Sequence, residues 1–210
     1  ESSVQPLFSV ILTIAALFSA ACGPPETSPS RHRHPDEIRI ALEGHPATLD
    51  PRFVTDAYGS RLLPLLYNGL VTIDNTGAVV PDLAYSWSSD SRQLAWHFRL
   101  RDDAVFADGS PCRALDVKAT LDFLRDPGNG CPVAGGLEMI DNITVVSPLE
   151  IGITLREPHA GFLYGLAADI VPAGTRGTAA DGTPPPGTGP FMLADYRRGA
   201  DIVLRLNPHY

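Results

Sequence analysis

The three cysteines of this 210-residue chain, Cys22, Cys112 and Cys131, could form a disulfide or act as nucleophiles. Cys112 and Cys131 are separated by 18 residues. In an oxidising compartment, a disulfide between them would stabilise the fold by about 3 kcal/mol through loop closure. The alternative is that each is a separate small core residue. A catalytic thiol is disfavoured, because no histidine stands near either cysteine in a recognisable nucleophile motif.

Two aspartates, Asp108 and Asp116, are the candidates for acid–base chemistry, and they would matter if the chain were an exported hydrolase. Asp108 precedes Gly109, a pair that is typical of a turn. Asp116 and Asp122 lie off the apolar stripe that recurs at helical spacing over 114–124, so we expect them to be solvated helix charges. The sequence therefore assigns no catalytic residue, and no spacing of potential ligands indicates a metal site.

Cys22 follows an apolar run over 7–21 that ends in small residues. The run is too short to cross a bilayer comfortably, which takes about 20 residues, and is typical of a secretory signal. Its end resembles the lipobox of bacterial lipoproteins, in which the cysteine becomes an acylated N-terminus. We therefore expect a signal segment at 1–21 and lipid attachment at Cys22, with a buried helix or a true membrane anchor as the alternative. No Met and no basic residue precede the run, so we also expect that this end is cut.

Residues 22–35 are rich in proline and serine and are interpreted as a tether that holds a domain off a surface. The net charge of −8 argues against a nucleic-acid partner, since DNA and RNA attract basic surfaces. Hydrophobic residues make up 44% of the chain, which is enough for a packed core after the tether.

Hydrophobic patterning predicts a mixed α/β (α+β) chain. Helices are predicted after a cap at Thr55 or Asp56, after a cap at Ser110 with Pro111 in the first turn, and over 162–168. The Gly-, Thr- and Pro-rich stretch 173–189 is interpreted as a loop without a phosphate site. Strands are predicted at 37–42, 70–73, 94–100, 143–146, 151–155, 191–196 and 202–206.

Short motifs follow one another in a fixed order through the chain. They are Thr-Leu-Asp-Pro at 48–51, Tyr-Asn-Gly-Leu-Val at 67–71, Val-Pro-Asp-Leu-Ala at 80–84, Ser-Trp at 86–87, Phe-Arg-Leu-Arg at 98–101, Phe-Ala-Asp-Gly-Ser-Pro at 106–111, Ala-Leu-Asp-Val at 114–117, Pro172, Gly-Thr-Gly-Pro-Phe at 187–191 and the segment 203–210. This series resembles the extracellular solute-binding proteins of family 5, the peptide and nickel-type receptors of ABC importers. The chain departs from the family pattern at Asn68, Arg113 and Leu115, where family members often have Glu, Thr and Glu.

The resemblance implies a periplasmic-binding-protein-like type II fold of the cluster C kind. Residues 36–52 together with 187–210 would form part of large lobe I, and 53–186 would form a small subdomain. Since members of the family are much longer, we expect this chain to be an N-terminal fragment that lacks the second lobe. Gly187 and Gly189 are expected to serve backbone geometry.

The resemblance also implies a receptor, without a cofactor, that captures oligopeptides or dipeptides outside the inner membrane and delivers them to a permease. It would act in the periplasm or at the cell surface, anchored by lipid. Glu43, Gly44, His45 and Pro46 match the part of lobe I that borders the ligand cleft, although an ordinary exposed loop is the alternative. A receptor for nickel, haem or another non-peptide solute remains open, and His45 would matter more in that case.

Overall fold

The structure is a computed structural model that describes residues 37–38, 40, 42–132, 135–175, 183–196 and 201–210. Asp36–Tyr210 form one compact unit. The expected signal segment 1–21, the tether 22–35 and Cys22 lie outside the described residues. Among the helices that are described, none is long and apolar enough to cross a membrane.

The three α-helices of the described part begin and end largely where the sequence pattern predicts. Asp56 caps the first helix by accepting a hydrogen bond from the backbone N–H of Gly59 at 2.8 Å. Pro64 lies in the last turn of that helix, and two residues later the helix ends. The helices are α1 at Ala57–Leu66, α2 at Ala114–Arg125 and α3 at Phe162–Gly165, and a 3₁₀ turn occupies Pro127–Asn129.

The predicted cap at Ser110 is wrong. Helix α2 begins at Ala114 with Arg113 as its N-cap residue, and the Arg113 backbone N–H donates to the Asp116 carboxylate at 2.8 Å. Ser110 instead donates its hydroxyl to Asp108 at 2.6 Å, which closes the turn before the helix. Because the Ser110 hydroxyl is bound to Asp108 in this turn, it is not available to cap the helix, and the helix starts later than predicted.

The strands form three antiparallel sheets. They are β1 at Glu37–Ile38, β2 at Val71–Ile73, β3 at Val79–Pro81, β4 at Ala84–Ser89, β5 at Ala95–Leu100, β6 at Ile140–Ser147, β7 at Glu150–Leu155, β8 at Phe191–Tyr196 and β9 at Ile202–Leu206. The two ends of the domain make one sheet in the order β1-β9-β8, a short hairpin pairs β2 with β3, and the middle of the chain makes a four-stranded sheet in the order β4-β5-β7-β6.

The larger core lies between the four-stranded sheet and helix α2. The predicted stripe on α2 is buried at Ala114, Val117, Leu121 and Leu124. Phe98 on β5 is fully buried opposite it, as the alternation of β5 predicts. This core explains why the middle of the chain folds as a sheet covered by one helix.

A second, smaller core forms under the three-stranded sheet. It contains Leu62 and Leu66 of α1 together with Leu49, Val171 and Leu204. Helix α1 lies within the stretch 53–186 that is expected to form a small subdomain, and it packs on the three-stranded sheet, because its buried face contacts this core. The division into part of lobe I and a small subdomain stays a prediction.

A buried ion pair forms in the turn that precedes helix α1 and contacts helix α2. Arg52 and Asp50 are 1% and 0% exposed, and the Arg52 guanidinium donates from Nε and Nη2 to the two Asp50 carboxylate oxygens at 2.9 and 2.7 Å. Arg52 Nη1 donates to the carbonyl oxygen of Thr175 at 2.8 Å. The guanidinium carbon lies 4.4 Å from the ring centroid of Phe123 on α2, a cation–π distance. One side chain thus contacts three separate parts of the chain.

A second polar junction lies where α1 ends. The Asn68 side-chain amide donates to Asp82 at 2.9 Å, and Thr188 donates its hydroxyl to Asn68 at 3.1 Å. Asp169 pairs with Gly69 through a backbone bridge in the same region. Burial, with a contribution from the nearby Asp82 carboxylate, raises the pKa of Asp169 to about 7.

The backbone at 187–189 passes so close to the end of α1 that only glycine fits at Gly187 and Gly189. The Gly189 backbone N–H donates to the Leu66 carbonyl at 2.9 Å, and a Cβ at either Gly187 or Gly189 would overlap the Leu66 backbone. Tyr67 donates its hydroxyl to the Pro185 carbonyl at 2.7 Å. The expectation that Gly187 and Gly189 serve backbone geometry is confirmed.

We predict that Arg52→Met destabilises the protein by about 3–5 kcal/mol, because it leaves the Asp50 carboxylate buried without its counter-ion. The double variant Arg52→Met/Asp50→Leu should recover a large part of that loss, since it removes the orphaned charge as well. Urea unfolding followed by circular dichroism measures both values. Equal losses in the single and double variants would contradict the explanation that the unpaired Asp50 charge causes the loss.

We also predict that Asp169→Asn changes how stability depends on pH. The folded-state pKa of about 7 lies above the unfolded value of about 3.9, so the folded protein holds a proton that the unfolded chain lacks between these pH values. The stability that Asp169 contributes is complete below about pH 4 and is lost as the pH rises through 7. Relative to wild type, Asp169→Asn should therefore gain several degrees in Tm at pH 8 and little at pH 4.

Thermal melts at pH 4, 6 and 8 provide this measurement. Asp141→Asn is the matched control, because the Asp141 side chain is exposed and its carboxylate lies 3.9 Å from Arg156 Nε. A constant difference between Asp169→Asn and wild type across this range would contradict the assignment.

Candidate functional site

The segment predicted to contact ligand, Glu43 to Pro46, connects β1 to the start of α1. Glu43 is exposed, Gly44 and His45 are partly buried, and Pro46 is buried. A Cβ on Gly44 would lie 2.7 Å from the ring of Tyr58, so the Tyr58 side chain closes over the backbone at this point. The segment is therefore held against the first turn of α1.

The same helix start also holds the residue that follows this segment. The backbone N–H of Ala47 donates to the Asp56 carboxylate at 3.1 Å, in addition to the helix-capping bond from Gly59. Burial opposes ionisation of Asp56, but these backbone donors outweigh it and keep its pKa below the ordinary value. Asp56 is thus a charged anchor between the segment and α1.

His45 has a buried ring nitrogen that lacks a partner. Its ring lies 6.4 Å from that of Tyr196, centroid to centroid, and its Nδ1 is buried without a hydrogen bond. Tyr196 donates its hydroxyl to the Pro46 carbonyl at 3.1 Å, so it is already used. Buried polar atoms in folded proteins nearly always have a partner, which an ordered water often supplies. Ligand contact at Glu43, Gly44, His45 and Pro46 stays a prediction.

Asp108 and Asp116, the residues considered for hydrolysis, have structural roles. Asp108 accepts hydrogen bonds from the backbone and hydroxyl of Ser110, which hold its pKa below the ordinary value. Asp116 accepts from the backbone N–H groups of Arg113 and Ala173, the latter at 2.7 Å. Asp116 is therefore more than the solvated charge that the sequence predicts, because it fastens α2 to the loop at Ala173.

Cys112 and Cys131 are free thiols in the structure. Cys112 is buried in the larger core, and burial raises its pKa to about 12. Cys131 packs at the edge of the same core. The disulfide between Cys112 and Cys131, one of the two interpretations of the sequence, is not formed in the structure. Within the residues that the structure describes, no group of three or more His, Cys, Asp or Glu side chains is placed to hold a metal ion.

Several cavities were missed by the sequence reasoning. The largest, about 810 Å³, runs beside Arg99 and Arg101, but both arginines are paired, with Glu150 at 3.4 Å and Asp103 at 2.9 Å. An apolar groove of about 380 Å³ lies along 183–187 and 191–193, where three consecutive prolines were its only sequence signal. A cavity of about 270 Å³ is lined by Arg52 and Asp169, which are 117 positions apart and show no sequence relation.

These features suit non-covalent binding. They comprise a rigidly held segment with an unpartnered imidazole nitrogen, partly apolar cavities and acids that are committed to backbone contacts. Ligand sites are typically concave and mostly apolar, with a few polar groups that fix orientation.

Comparison with known proteins identifies the same family that the order of motifs indicates. Residues 78–210 match the model of "Bacterial extracellular solute-binding proteins, family 5 Middle". Among curated proteins, the chain is 35% identical over 190 residues to the probable D,D-dipeptide-binding periplasmic protein DdpA of Escherichia coli (strain K12). That match covers 83% of this chain and 36% of the relative, so the chain spans about a third of the length of such relatives.

Solved structures show the same relation. The binding protein AgaA from A. tumefacien R10, solved with agropinic acid, is 30% identical with a TM-score of 0.73, over 80% of this chain and 35% of that one. NikZ from Campylobacter jejuni, solved with Ni(L-His), is 26% identical with a TM-score of 0.70, over 82% of this chain and 35% of that one. The type II fold is therefore confirmed for the matched part, and the chain belongs to the bacterial extracellular solute-binding proteins of family 5.

Proposed function

We propose that this chain is part of the substrate-binding receptor of an ABC importer, which captures oligopeptides or dipeptides outside the inner membrane and delivers them to the permease. The observation that carries the proposal is the family match over 78–210. The 35% identity to a protein named for binding D,D-dipeptides favours a short peptide as the ligand.

The geometry of the segment Glu43 to Pro46 supports a peptide ligand. An extended peptide offers the same backbone N–H and C=O groups whatever its side chains are, so a receptor can recognise it through a few fixed polar atoms. His45 Nδ1 has no partner, and as an acceptor it would receive a hydrogen bond from a peptide N–H. The Tyr58 ring packs against Gly44, and Asp56 binds the backbone of Ala47 directly after the segment. The segment is therefore ordered before binding, which lowers the entropic cost of binding.

We further propose that Cys22 carries a lipid and that 22–35 tether the receptor to the membrane. A tethered receptor stays near its permease at a raised effective concentration. The proposed location is accordingly the periplasm or the cell surface, with the lipid as the membrane contact.

Nickel, free or chelated, is the second candidate ligand. His45 Nδ1 is an unpartnered imidazole nitrogen, the commonest type of metal ligand, and NikZ was solved with Ni(L-His). Among the described residues, His45 does not belong to a group of three or more His, Cys, Asp or Glu side chains that could hold a metal ion. A nickel ion at His45 would therefore need its other ligands from a chelator or from another part of the protein. Peptide is favoured for this reason.

The proposed function is tested by isothermal titration calorimetry on the protein expressed from the complete reading frame that contains this chain. We expect saturable binding of alanyl-alanine with a Kd in the micromolar range or tighter, no binding of Ni²⁺ at equal concentration, and no hydrolysis of the dipeptide. Binding of Ni²⁺ or Ni(L-His) without dipeptide binding would favour the alternative. Turnover of the dipeptide would refute a pure receptor.

We predict that His45→Phe weakens dipeptide binding by about twofold to tenfold, the range that corresponds to one lost hydrogen bond. Phenylalanine preserves the ring contact with Tyr196 but removes Nδ1, so Tm should remain within about 1 °C of wild type. His97→Phe is the matched control, because His97 lies on the wetter face of β5 next to Glu150. Equal affinities in wild type and His45→Phe would remove His45 from the binding site.

We predict that Cys22→Ser releases the protein from membranes. Without a thiol there is no site for acylation, and a hydrophilic domain loses its membrane affinity. Fractionation of cells and metabolic labelling with radioactive palmitate measure the two effects, with Cys112→Ser as the control that should stay labelled and membrane-bound. A Cys22→Ser protein that remains in the membrane fraction would indicate an uncleaved apolar anchor instead.

A further inference from the structure

The segment Glu43 to Pro46 is restrained from two sides, by helix α1 and by strand β8. On the α1 side the Tyr58 ring lies against Gly44, where a Cβ would come within 2.7 Å of the ring. On the β8 side the Tyr196 hydroxyl donates to the Pro46 carbonyl at 3.1 Å. These contacts act on the segment itself, and the chain that leaves the segment towards α1 has a restraint of its own.

Asp56 provides that restraint. Its Oδ2 accepts a hydrogen bond from the backbone N–H of Ala47 at 3.1 Å, and its Oδ1 accepts one from the backbone N–H of Gly59 at 2.8 Å, which caps α1. The bond to Ala47 spans nine positions and closes the loop between the segment and the helix. One carboxylate therefore has two structural tasks, and each task uses a different oxygen atom.

The two tasks of Asp56 can be separated by substitution. Asparagine and serine serve as well as aspartate at a helix N-cap, because one side-chain oxygen is enough for the capping bond. The bond to Ala47 needs a second acceptor, which serine lacks, while the amide nitrogen of asparagine would present N–H groups to the N–H of Ala47. Of these three side chains, only aspartate can cap α1 and bind Ala47 at the same time.

We propose that Asp56 is a positioning residue for ligand binding, which acts through Ala47 to hold His45 in the conformation that contacts the ligand. His45 precedes Ala47 by two residues, so the bond to Ala47 limits how far the imidazole can move. A group that is fixed before the ligand arrives loses less conformational entropy on binding. The inference rests on the proposed receptor function, and it assigns part of the affinity to the loop contact behind the segment.

The test is isothermal titration calorimetry with alanyl-alanine on the protein from the complete reading frame. Asp56→Asn should weaken binding by about threefold or more, because it keeps the helix cap but removes the acceptor for Ala47. Asp74→Asn is the matched control and should leave the affinity unchanged. Asp74 also accepts two backbone N–H groups, from Thr76 at 2.8 Å and from Ala78 at 3.0 Å, but it does so through one oxygen, which asparagine retains. Equal affinities in wild type and Asp56→Asn would overturn the proposal.

Coupling to His45 distinguishes positioning from a general structural effect. His45→Phe removes Nδ1, the atom that the segment is proposed to offer to the ligand. If Asp56 acts by placing this atom, then Asp56→Asn should change the affinity by less than about 1.5-fold in the His45→Phe background. The same threefold loss in both backgrounds would show that Asp56 does not act through His45, and the proposal would be overturned.

Hydrogen exchange on the same samples shows whether the structural change stays local. In Asp56→Asn, the Ala47 amide should exchange about fivefold faster or more, because it has lost its acceptor, while the amides over 61–66 in α1 keep their wild-type protection. Loss of protection throughout α1 would assign the weaker binding to unfolding of the helix, which also contradicts the proposal.

Failure of the proposed function gives a different result, namely that wild type itself binds neither alanyl-alanine nor Ni(L-His). That result would overturn both proposals. If wild type binds only Ni(L-His), the same variants are compared with that probe. A threefold loss in Asp56→Asn would then support the positioning role without a peptide ligand, and an affinity equal to wild type would overturn it.

Discussion

The buried ion pair between Asp50 and Arg52 is the interaction on which the arrangement of this domain depends. Neither charge reaches solvent, so each is tolerable only because the other is present and because the guanidinium has further contacts at the Thr175 carbonyl and the Phe123 ring. The pair and these two contacts bring together three separate parts of the chain. The pair therefore fixes the relative position of the turn before α1, helix α2 and the backbone at Thr175.

Local patterns in the sequence predicted most of the elements. The alternation around Phe98 predicted β5 and its buried face, and the stripe from Ala114 to Leu124 predicted the face of α2 that packs on the sheet. These signals are local, since side-chain periodicity follows directly from strand and helix geometry. The cap at Ser110 was wrong because the hydroxyl had a nearer partner in Asp108, which hydrophobic periodicity does not detect.

The cores and cavities depend on contacts between distant residues, and the sequence alone did not predict them. No sequence pattern near Arg52 predicts that the carbonyl of Thr175, 123 positions away, accepts a hydrogen bond from its guanidinium. Likewise, the apolar face of helix α1 fits either sheet by pattern, and only the packing of Leu62 and Leu66 decides which core the helix joins. Within the candidate site, the position of the segment Glu43 to Pro46 came from family resemblance. The unpartnered state of His45 Nδ1 required the structure.

Asp50 and Asp169 show how the surroundings of the same side chain decide whether its ionised form is stabilised. Asp50 is fully paired by Arg52, so its charge is stabilised within the fold and cannot attract a ligand. Asp169 lines the cavity next to that pair without a partner of its own, and burial together with Asp82 shifts its pKa towards neutrality. Because Arg52 is held by Asp50, it cannot swing across the cavity to neutralise Asp169. The pair that stabilises the domain therefore leaves Asp169 in surroundings that raise its pKa, because no cation among the described residues is free to balance its charge.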